Sequence, residues 1–365
     1  MSSSSLTELA AELVRIDSVN PDLVPGGAGE GELARFVAGW LEDAGLEVEV
    51  EEVAPGRPNV VGRARGSGGG GTLLLNAHMD TVGHDGMAAP LEPRVEDGRL
   101  YGRGAYDMKG SLAAIMVAGA EAVEAGLRGD VLVAAVADEE AYSIGAEAAA
   151  RRYPADAAIV AEPTGLRLVV AHKGFVWMEV ETKGRAAHGS RPDLGEDAIV
   201  AMGHVLTGLG SLAESLLAHS SHPLLGSGSV HASLISGGME LSTYPERCVL
   251  GLERRTVPGE AVELVERQIR DIAPDAEIRT TFVREPFEVG EDAPVVQAIL
   301  RHAGGPEVAG VPFWADSAVF SAAGIPTVVF GPGGEGAHAQ VEWVELADVE
   351  RCKDVYVAVA RELCA

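Results

Sequence analysis

Short, continuously apolar segments alternate with helical segments along most of the chain, and this alternation is the feature that most limits its fold. The apolar segments are TLLLNAH (72–78), DVLVAAVA (130–137), AAIVA (157–161) and PTVVFG (326–331). Segments this short and this apolar are typical of strands that are buried on both faces. With helices between them, they predict an α/β fold whose sheet is mostly parallel and covered by helices on both faces.

Helical patterns fill the segments between these strands. Apolar side chains recur there at intervals of three and four residues. The segments with this pattern are 30–45, 108–126, 143–152, 294–304 and 345–364. The spacing of Leu6, Leu9, Leu13 and Ile16 predicts one more helix at the start of the chain, with an N-cap in the Ser/Thr run that precedes it.

The pattern changes between residues 174 and 285. There the predicted order is strand, helix, strand, strand, helix, strand, which is the order of a ferredoxin-like unit. We expect this unit to be a domain inserted into the α/β domain. The α/β domain would then have two parts, 1–173 and 286–365, that share one mixed, mostly parallel sheet.

The charge balance excludes some classes of partner. The chain has 55 acidic and 28 basic side chains among 365 residues, which gives a net charge of −27. Such an excess repels a phosphate backbone or an anionic membrane surface. No uninterrupted apolar stretch reaches the roughly 20 residues that a membrane span needs. We therefore expect neither nucleic-acid binding nor a membrane-embedded protein.

The cysteines indicate a reducing compartment. Cys248, Cys352 and Cys364 are odd in number and have no CxxC spacing, so neither a disulfide framework nor a structural zinc site is expected. The first twenty residues lack the basic and apolar regions of a signal peptide. Together these features predict a cytoplasmic protein, in which Cys248 belongs to the core.

Histidines and carboxylates collect where the predicted strands end. Ligands of open α/β sheets bind beyond the carboxyl ends of the strands. Carboxylates that converge there repel one another unless cations neutralise them, and a mixed His/Asp/Glu set suits Zn²⁺, or less specifically Co²⁺ and Mn²⁺. The residues in such positions are His78, Asp80, Asp138, Glu139, Glu140, Glu162 and His338, and Asp107 lies just before a helix.

Several motifs in one order resemble a known enzyme family. They are HMD (78–80), PLEPRVEDGRLYGRGAYDMKG (90–110), DEE (138–140), EPT (162–164), AAHGSRP (186–192) and GPGGEGAH (331–338). The chain resembles, over essentially its whole length, the dinuclear zinc metallopeptidases that include acetylornithine deacetylases, succinyl-diaminopimelate desuccinylases, aminoacylases and carboxypeptidases. The resemblance implies a zinc-exopeptidase-like α/β domain and an inserted lid and dimerisation domain.

The resemblance also implies two divalent metal ions and their ligands. Asp107 would bridge the ions, His78 and Glu162 would bind one, and Glu140 and His338 would bind the other. Zn²⁺ is the expected metal, with Co²⁺ or Mn²⁺ as alternatives.

The same family likeness implies three catalytic roles. Glu139 resembles the general base, a role that a carboxylate beside a metal-activated water can fill. Asp80 resembles the carboxylate that orients His78. His188 resembles a histidine that reaches the active site of the partner subunit, which implies a homodimer.

The residues expected to contact the substrate follow the family pattern less completely than the expected metal ligands do. Arg255 resembles the arginine that holds a substrate carboxylate, with Arg254 as its rival, and a guanidinium suits that task. Ser242 stands where the family often has an asparagine that helps in this contact. The segment 83–90 lacks the usual aromatic residue, and the run around Asp316 follows the family only in part.

These features predict a metal-dependent amidohydrolase that deacylates N-acyl amino acids, with an acetylornithine deacetylase-like reaction first. Desuccinylation of a diaminopimelate derivative and cleavage of dipeptides are alternatives within the same mechanism. Two alternatives come from other classes. One is an inactive homologue that binds an amino-acid derivative, and the other is a glycine-rich-loop nucleotide binder, which the absence of a P-loop lysine pattern disfavours.

Overall fold

The computed structural model describes residues 3–365, and for residues 3–5 the backbone alone. The N-cap predicted in the initial Ser/Thr run therefore falls outside the described side chains. Helices form at each predicted segment, and one short helix, α8, was not predicted. The helices are α1 (Ser3–Arg15), α2 (Gly31–Asp43), α3 (Gly110–Ala125), α4 (Ile144–Arg152), α5 (Ala198–Ala218), α6 (Val262–Ile272), α7 (Pro294–His302), α8 (Ser317–Ala322) and α9 (Leu346–Leu363).

The strands include those predicted and several short ones that the sequence pattern did not reveal. They are β1 (Glu47–Ala54), β2 (Arg57–Ala64), β3 (Leu73–His78), β4 (Arg94–Glu96), β5 (Arg99–Tyr101), β6 (Val131–Val136), β7 (Ala157–Val160), β8 (Leu168–His172), β9 (Gly174–Lys183), β10 (Ser229–Gly237), β11 (Arg247–Thr256), β12 (Glu277–Arg284), β13 (Phe287–Glu288), β14 (Val308–Val311), β15 (Thr327–Val329), β16 (Gly334–Glu335) and β17 (Trp343–Glu345).

The chain forms two compact units. Among the described residues, the first contains 3–170, 289–309 and 315–365, and the second contains 171–288 and 310–314.

The first unit is built on a mixed sheet with the order β1-β2-β6-β3-β7-β15-β8. The four central strands, β6, β3, β7 and β15, run parallel, and the flanking strands are antiparallel. Leu73 and Leu75 on one face of β3 join the main core with α3, whereas α4 and α8 pack together against β6 and β7. Helices therefore cover both faces, and the predicted α/β class is confirmed.

Apolar burial explains why the central strands have no polar face. All residues of β3, β6 and β7 are buried. The helix between β3 and β6, α3, is also apolar on nearly every side, and its residues from Gly110 to Ala120 are all buried. A helix that is apolar all round needs neighbours on all sides, and here α1, α9 and the sheet supply them. A small antiparallel sheet, β16-β17-β5-β4, completes this unit.

The second unit contains an antiparallel sheet with the order β10-β11-β9-β12. Its strands and helices follow one another as β9-α5-β10-β11-α6-β12, the ferredoxin-like order. One face of the sheet forms an apolar core with both helices, as in the alternating Val176, Met178 and Val180 of β9. Helix α5 begins where Asp197 accepts hydrogen bonds from the amides of Ile199 and Val200.

Helix α5 has an apolar surface that this unit leaves largely uncovered. Within residues 3–365 it is the one helix that is long and apolar enough to cross a membrane by length and composition, a test that core helices of soluble proteins also pass. Only 17 % of its most apolar 18-residue window is buried. Ile199, Val200 and Leu217 are among its exposed apolar residues.

Candidate metal centre

Three parallel strands bring candidate ligands to one edge of the sheet in the first unit. β3 lies between β6 and β7, and His78 at its end is level with Val136 of β6. Glu139 and Glu140 follow β6, and Glu162 follows β7. Because parallel strands end at the same edge, these side chains from distant parts of the chain become neighbours.

Asp107 lies between two histidines in the irregular turn that leads into α3. Its Oδ1 is 3.1 Å from Nε2 of His78, and its Oδ2 is 3.4 Å from Nε2 of His338. The two oxygens of one carboxylate thus face different imidazoles. This is the arrangement that a bridging carboxylate needs.

Each histidine also approaches a glutamate. Nε2 of His78 lies 3.7 Å from Oε1 of Glu162, and Nε2 of His338 lies 3.0 Å from Oε2 of Glu140. The result is two clusters, His78/Asp107/Glu162 and Asp107/Glu140/His338, whose ligand atoms lie within 4.8 Å of one another in each cluster. The structure therefore brings together all five residues that the sequence suggested as ligands.

The donor atoms of both clusters fit divalent cations. Each cluster offers one imidazole nitrogen and carboxylate oxygens, a combination typical of zinc and related metals. Among the described residues, Oε1 of Glu140 is buried without a hydrogen-bond partner. A buried, unpaired carboxylate oxygen is costly, and a cation would satisfy it.

The protonation equilibria of the centre show how strongly its charges interact. Burial raises the pKa of Glu139, Glu140 and Glu162, and neighbouring carboxylates add to each rise. Burial alone would also raise the pKa of Asp107, but hydrogen bonds from His338 and His78 lower it instead. The imidazoles are thus the groups that stabilise a charged Asp107.

The two histidines have correspondingly raised pKa values. Burial disfavours a charge on His78, but its hydrogen bond to Asp107 and the charges of Glu162 and Asp80 raise its pKa well above the usual value. The hydrogen bonds of His338 to Asp107 and Glu140 raise its pKa to about 10. Both shifts favour the protonated imidazole, which must lose a proton before it can bind a metal ion.

Asp80 contacts main-chain groups more closely than it contacts the imidazole. Nδ1 of His78 lies 2.9 Å from the carbonyl oxygen of Asp80 and 3.6 Å from its carboxylate. The carboxylate of Asp80 instead accepts hydrogen bonds from the amides of Glu139 and Glu140, each at 3.1 Å. Asp80 thus fixes the turn that carries two of the candidate functional carboxylates.

A buried arginine lies behind that turn, and sequence reasoning did not identify it. Arg57 donates to both oxygens of Glu30, to Asp138 and to Asp22, at 2.6–2.9 Å. Asn20 joins the network, because its amide donates to Asp80 at 2.7 Å and to Asp138 at 3.0 Å. No spacing in the sequence reveals these contacts, which join residues far apart along the chain.

The network also stabilises an unfavourable backbone conformation. Asp138 has a φ of 70°, in the left-handed region. Residues other than glycine rarely adopt it, at a cost of about 1–3 kcal/mol. The Asp138 amide donates to Glu30 and its carboxylate accepts from Arg57. His338 has a similar φ of 61°.

The remaining candidates lie in the second unit, where two loops pair with each other. His188 is exposed, and its Nδ1 lies 2.9 Å from Oγ of Ser190. The next residue, Gly189, donates its amide to the carbonyl of Ser242 at 2.6 Å. The loops that carry His188 and Ser242 are therefore neighbours.

The two adjacent arginines of β11 have different surroundings. The Arg254 side chain is fully buried, where it donates to Glu260 at 2.8 Å. Arg255 is partly exposed, donates to Glu253 at 2.7 Å and lies over the ring of Phe175. Arg255 is thus the more accessible of the two.

Several residues outside the main motifs are buried, packed or hydrogen-bonded within the fold. The three cysteines are free and buried. His222 bonds to Glu288 at 3.1 Å, and His172 packs against Phe287. Asp316, at the start of α8, is buried, and its charge contributes to the raised pKa of Glu139 and Glu162.

A mixed α/β unit with two His/carboxylate clusters that share one aspartate offers the ligands of a two-metal centre, such as metallohydrolases use. Comparison with known proteins agrees. Residues 74–362 match the model of peptidase family M20/M25/M40. The chain is 33 % identical to an acetylornithine deacetylase from Myxococcus xanthus, with 99 % of this chain and 97 % of the relative covered.

Two solved structures have the same fold. Aminopeptidase PepT from Bacillus cereus ATCC 10987 matches with a TM-score of 0.83 at 19 % identity, over the full length of both chains. A dinuclear metal-binding peptidase of the M20 family from Bacillus subtilis matches with a TM-score of 0.74 at 17 % identity, over 99 % of this chain and 98 % of that one. The chain belongs to peptidase family M20/M25/M40, and it is a metallohydrolase that acts on amide bonds.

Replacing Arg57 by methionine should destabilise the protein. The change leaves Glu30 and Asp138 buried without their cation, which typically costs about 3–5 kcal/mol. Urea unfolding would measure the loss. The matched control is Arg65→Met, which breaks an exposed pair with Glu47 and should leave the unfolding midpoint nearly unchanged. Equal midpoints for the two variants would contradict this role of Arg57.

Zinc binding near neutral pH should release protons. Without metal, His78 and His338 hold protons below their raised pKa values, and an imidazole must lose its proton to bind a metal. Titration calorimetry at pH 7.5, in buffers of different ionisation enthalpy, should show a net release of protons on zinc binding. His338→Gln should lower the release by about one proton, and affinity should weaken as pH falls. Binding without proton release would contradict the assigned protonation states.

Proposed function

We propose that the protein removes the acyl group from N-acyl amino acids, with an N-acetylated amino acid such as acetylornithine as the first candidate substrate. The observation that carries this proposal is the position of Asp107 between two histidines, each with its own glutamate. The relative from Myxococcus xanthus, which is similar over its whole length, is named acetylornithine deacetylase.

Two divalent cations are the proposed cofactors, with Zn²⁺ first and Co²⁺ or Mn²⁺ as alternatives. His78 and Glu162 would hold one ion, Glu140 and His338 the other, and Asp107 would bridge them. When bound, the ions would polarise the amide carbonyl and acidify a water molecule. Their charge would also relieve the repulsion among the converging carboxylates.

Glu139 is the proposed proton-transfer group. Burial raises its pKa, and a carboxylate with a raised pKa suits proton exchange near neutral pH. It would accept a proton from the attacking water and deliver it to the leaving amine nitrogen. Asp80 would keep it in place through the hydrogen bond from the Glu139 amide.

Arg255 and Ser242 are the proposed substrate contacts. The partly exposed guanidinium of Arg255 suits a carboxylate, whereas Arg254 is buried with Glu260. Ser242, in place of the asparagine frequent in the family, would make this contact through a shorter side chain. Desuccinylation and dipeptide cleavage remain the alternatives within this chemistry.

A homodimer through residues 174–285 is the proposed assembly. Two adjoining elements support it: α5 exposes apolar residues, and β10 is an edge strand on which Leu234 is 77 % exposed and Ile235 56 % exposed. An edge strand with exposed apolar side chains is prone to pair with another chain, and a second copy suits a two-fold symmetric contact. A cytoplasmic location, in line with the three free cysteines, and the lack of nucleic-acid or membrane partners, in line with the net charge of −27, complete the proposal.

A substrate panel with a matched inactive variant tests the reaction. The zinc-loaded protein should hydrolyse N-acetyl amino acids faster than N-succinyl derivatives or dipeptides. Glu139→Gln should keep both ions and the fold yet lose about 10²–10⁴-fold in turnover, because it removes one proton-transfer group. A preference for succinyl or dipeptide substrates would select the alternative reactions. Inactivity of the metal-loaded protein on the whole panel would favour a binding protein.

Mixing two inactive variants tests the dimer and His188 together. If His188 acts in the partner's site, a dimer of one Glu139→Gln and one His188→Ala chain has one complete site. Random mixing should then restore about a quarter of wild-type activity. Light scattering should show a dimer for both variants. No recovery in mixed dimers would place His188 outside the partner's site.

A further inference from the structure

A buried glutamate outside the candidate ligand set binds the loop that carries Asp107. Glu342 is 1 % exposed. Its Oε2 accepts from the Arg103 side chain at 2.5 Å and from the Gly104 amide at 3.0 Å. Its Oε1 accepts from the amides of Tyr106 and Asp107, at 2.9 Å and 3.0 Å. Four donors from one loop thus converge on one carboxylate.

The arginine in this cluster contacts a second loop. Arg103 is buried, and its Nη2 donates to the carbonyl oxygen of Ala339 at 2.8 Å. Ala339 directly follows His338. The Arg103–Glu342 pair therefore joins the segment that carries Asp107 to the segment that carries His338, over more than 230 positions of sequence.

These contacts favour a positioning role over metal binding for Glu342. Both of its oxygens already accept two hydrogen bonds each. A metal ion at Glu342 would have to displace the two amides that determine the conformation of the Asp107 turn. The guanidinium of Arg103 also supplies the positive charge that a buried carboxylate needs.

The two clusters depend on this pair to different extents. Asp107 and His338 both belong to the Asp107/Glu140/His338 cluster, and their two loops are those that Arg103 and Glu342 join. In the other cluster, His78 ends β3 and Glu162 follows β7, and this cluster shares only Asp107 with the first. Loosening the Arg103–Glu342 pair would therefore change the geometry of the Asp107/Glu140/His338 cluster more than that of the His78/Asp107/Glu162 cluster.

We propose that Arg103 and Glu342 are positioning residues that set the distance between Asp107 and His338, and thereby the affinity of one of the two metal ions. This inference rests on the proposed dinuclear centre. Partners behind a metal ligand typically change metal affinity about 10–100-fold.

The test compares metal binding by Glu342→Gln and the wild type, using Zn²⁺ titration calorimetry and metal analysis after dialysis. Glutamine keeps the size of the side chain but places an amide donor against N–H donors. The variant should bind the ion at His78 and Glu162 as the wild type does. It should bind the ion at Glu140 and His338 about 10–100-fold more weakly. Added Zn²⁺ should restore turnover, which a permanently distorted fold would not allow.

A second variant and a control keep the test decisive. Arg103→Lys keeps the charge beside Glu342 but lacks the two separate nitrogens through which Arg103 donates to Glu342 and to Ala339, so it should weaken the same ion even if Glu342→Gln does not fold. The control, Glu345→Gln, breaks the more exposed pair of Glu345 with Arg99, three residues further along the chain from Glu342, and should bind both ions normally.

Three results separate the possibilities. Wild-type affinity for both ions in folded Glu342→Gln and Arg103→Lys would overturn the inference. Equal weakening of both ions, together with a lower unfolding midpoint of the metal-free protein, would also overturn it and indicate a general structural role. A wild-type protein that binds fewer than two ions would instead contradict the proposed dinuclear centre itself.

Discussion

The convergence of negative charge around Asp107 is the constraint on which the rest of the site depends. Asp107, Glu139, Glu140 and Glu162 lie close enough to change one another's protonation, and burial alone would neutralise them. Only positive charge in the same place makes the arrangement favourable. Two imidazoles with raised pKa values supply it in the metal-free chain, and divalent cations would supply it in the proposed enzyme.

The loops that carry these residues are stabilised from behind by buried ion pairs. Arg57 neutralises Glu30 and Asp138 behind the turn that carries Glu139 and Glu140. Arg103 pairs with Glu342 behind the turn that carries Asp107. Each arginine has several donors with fixed directions, so it can join a side-chain partner and further groups at once. Such buried pairs add little net stability. In this protein they determine where the loops place the functional carboxylates.

Much of the fold could be predicted from periodicity and burial. TLLLNAH and DVLVAAVA are apolar on both faces, so they had to be central strands, and the helical segments between them required parallel pairing. The short strands β4, β5, β8, β13, β14, β16 and β17 and the helix α8 were not predicted. Strands of two to five residues carry too few alternations to produce a signal, and pairing with longer neighbours stabilises them.

The sequence by itself determined the chemical character of the site, because His78, Glu140, Glu162 and His338 follow or end predicted strands, Asp107 precedes a helix, and all five lie within recognisable motifs. Only the tertiary structure decided how these residues are held. Arg57 and Glu30 are 27 residues apart along the chain, and Arg103 and Glu342 are 239 residues apart. No local pattern encodes a contact of that kind, since it exists only after the sheet has brought separate loops to one edge.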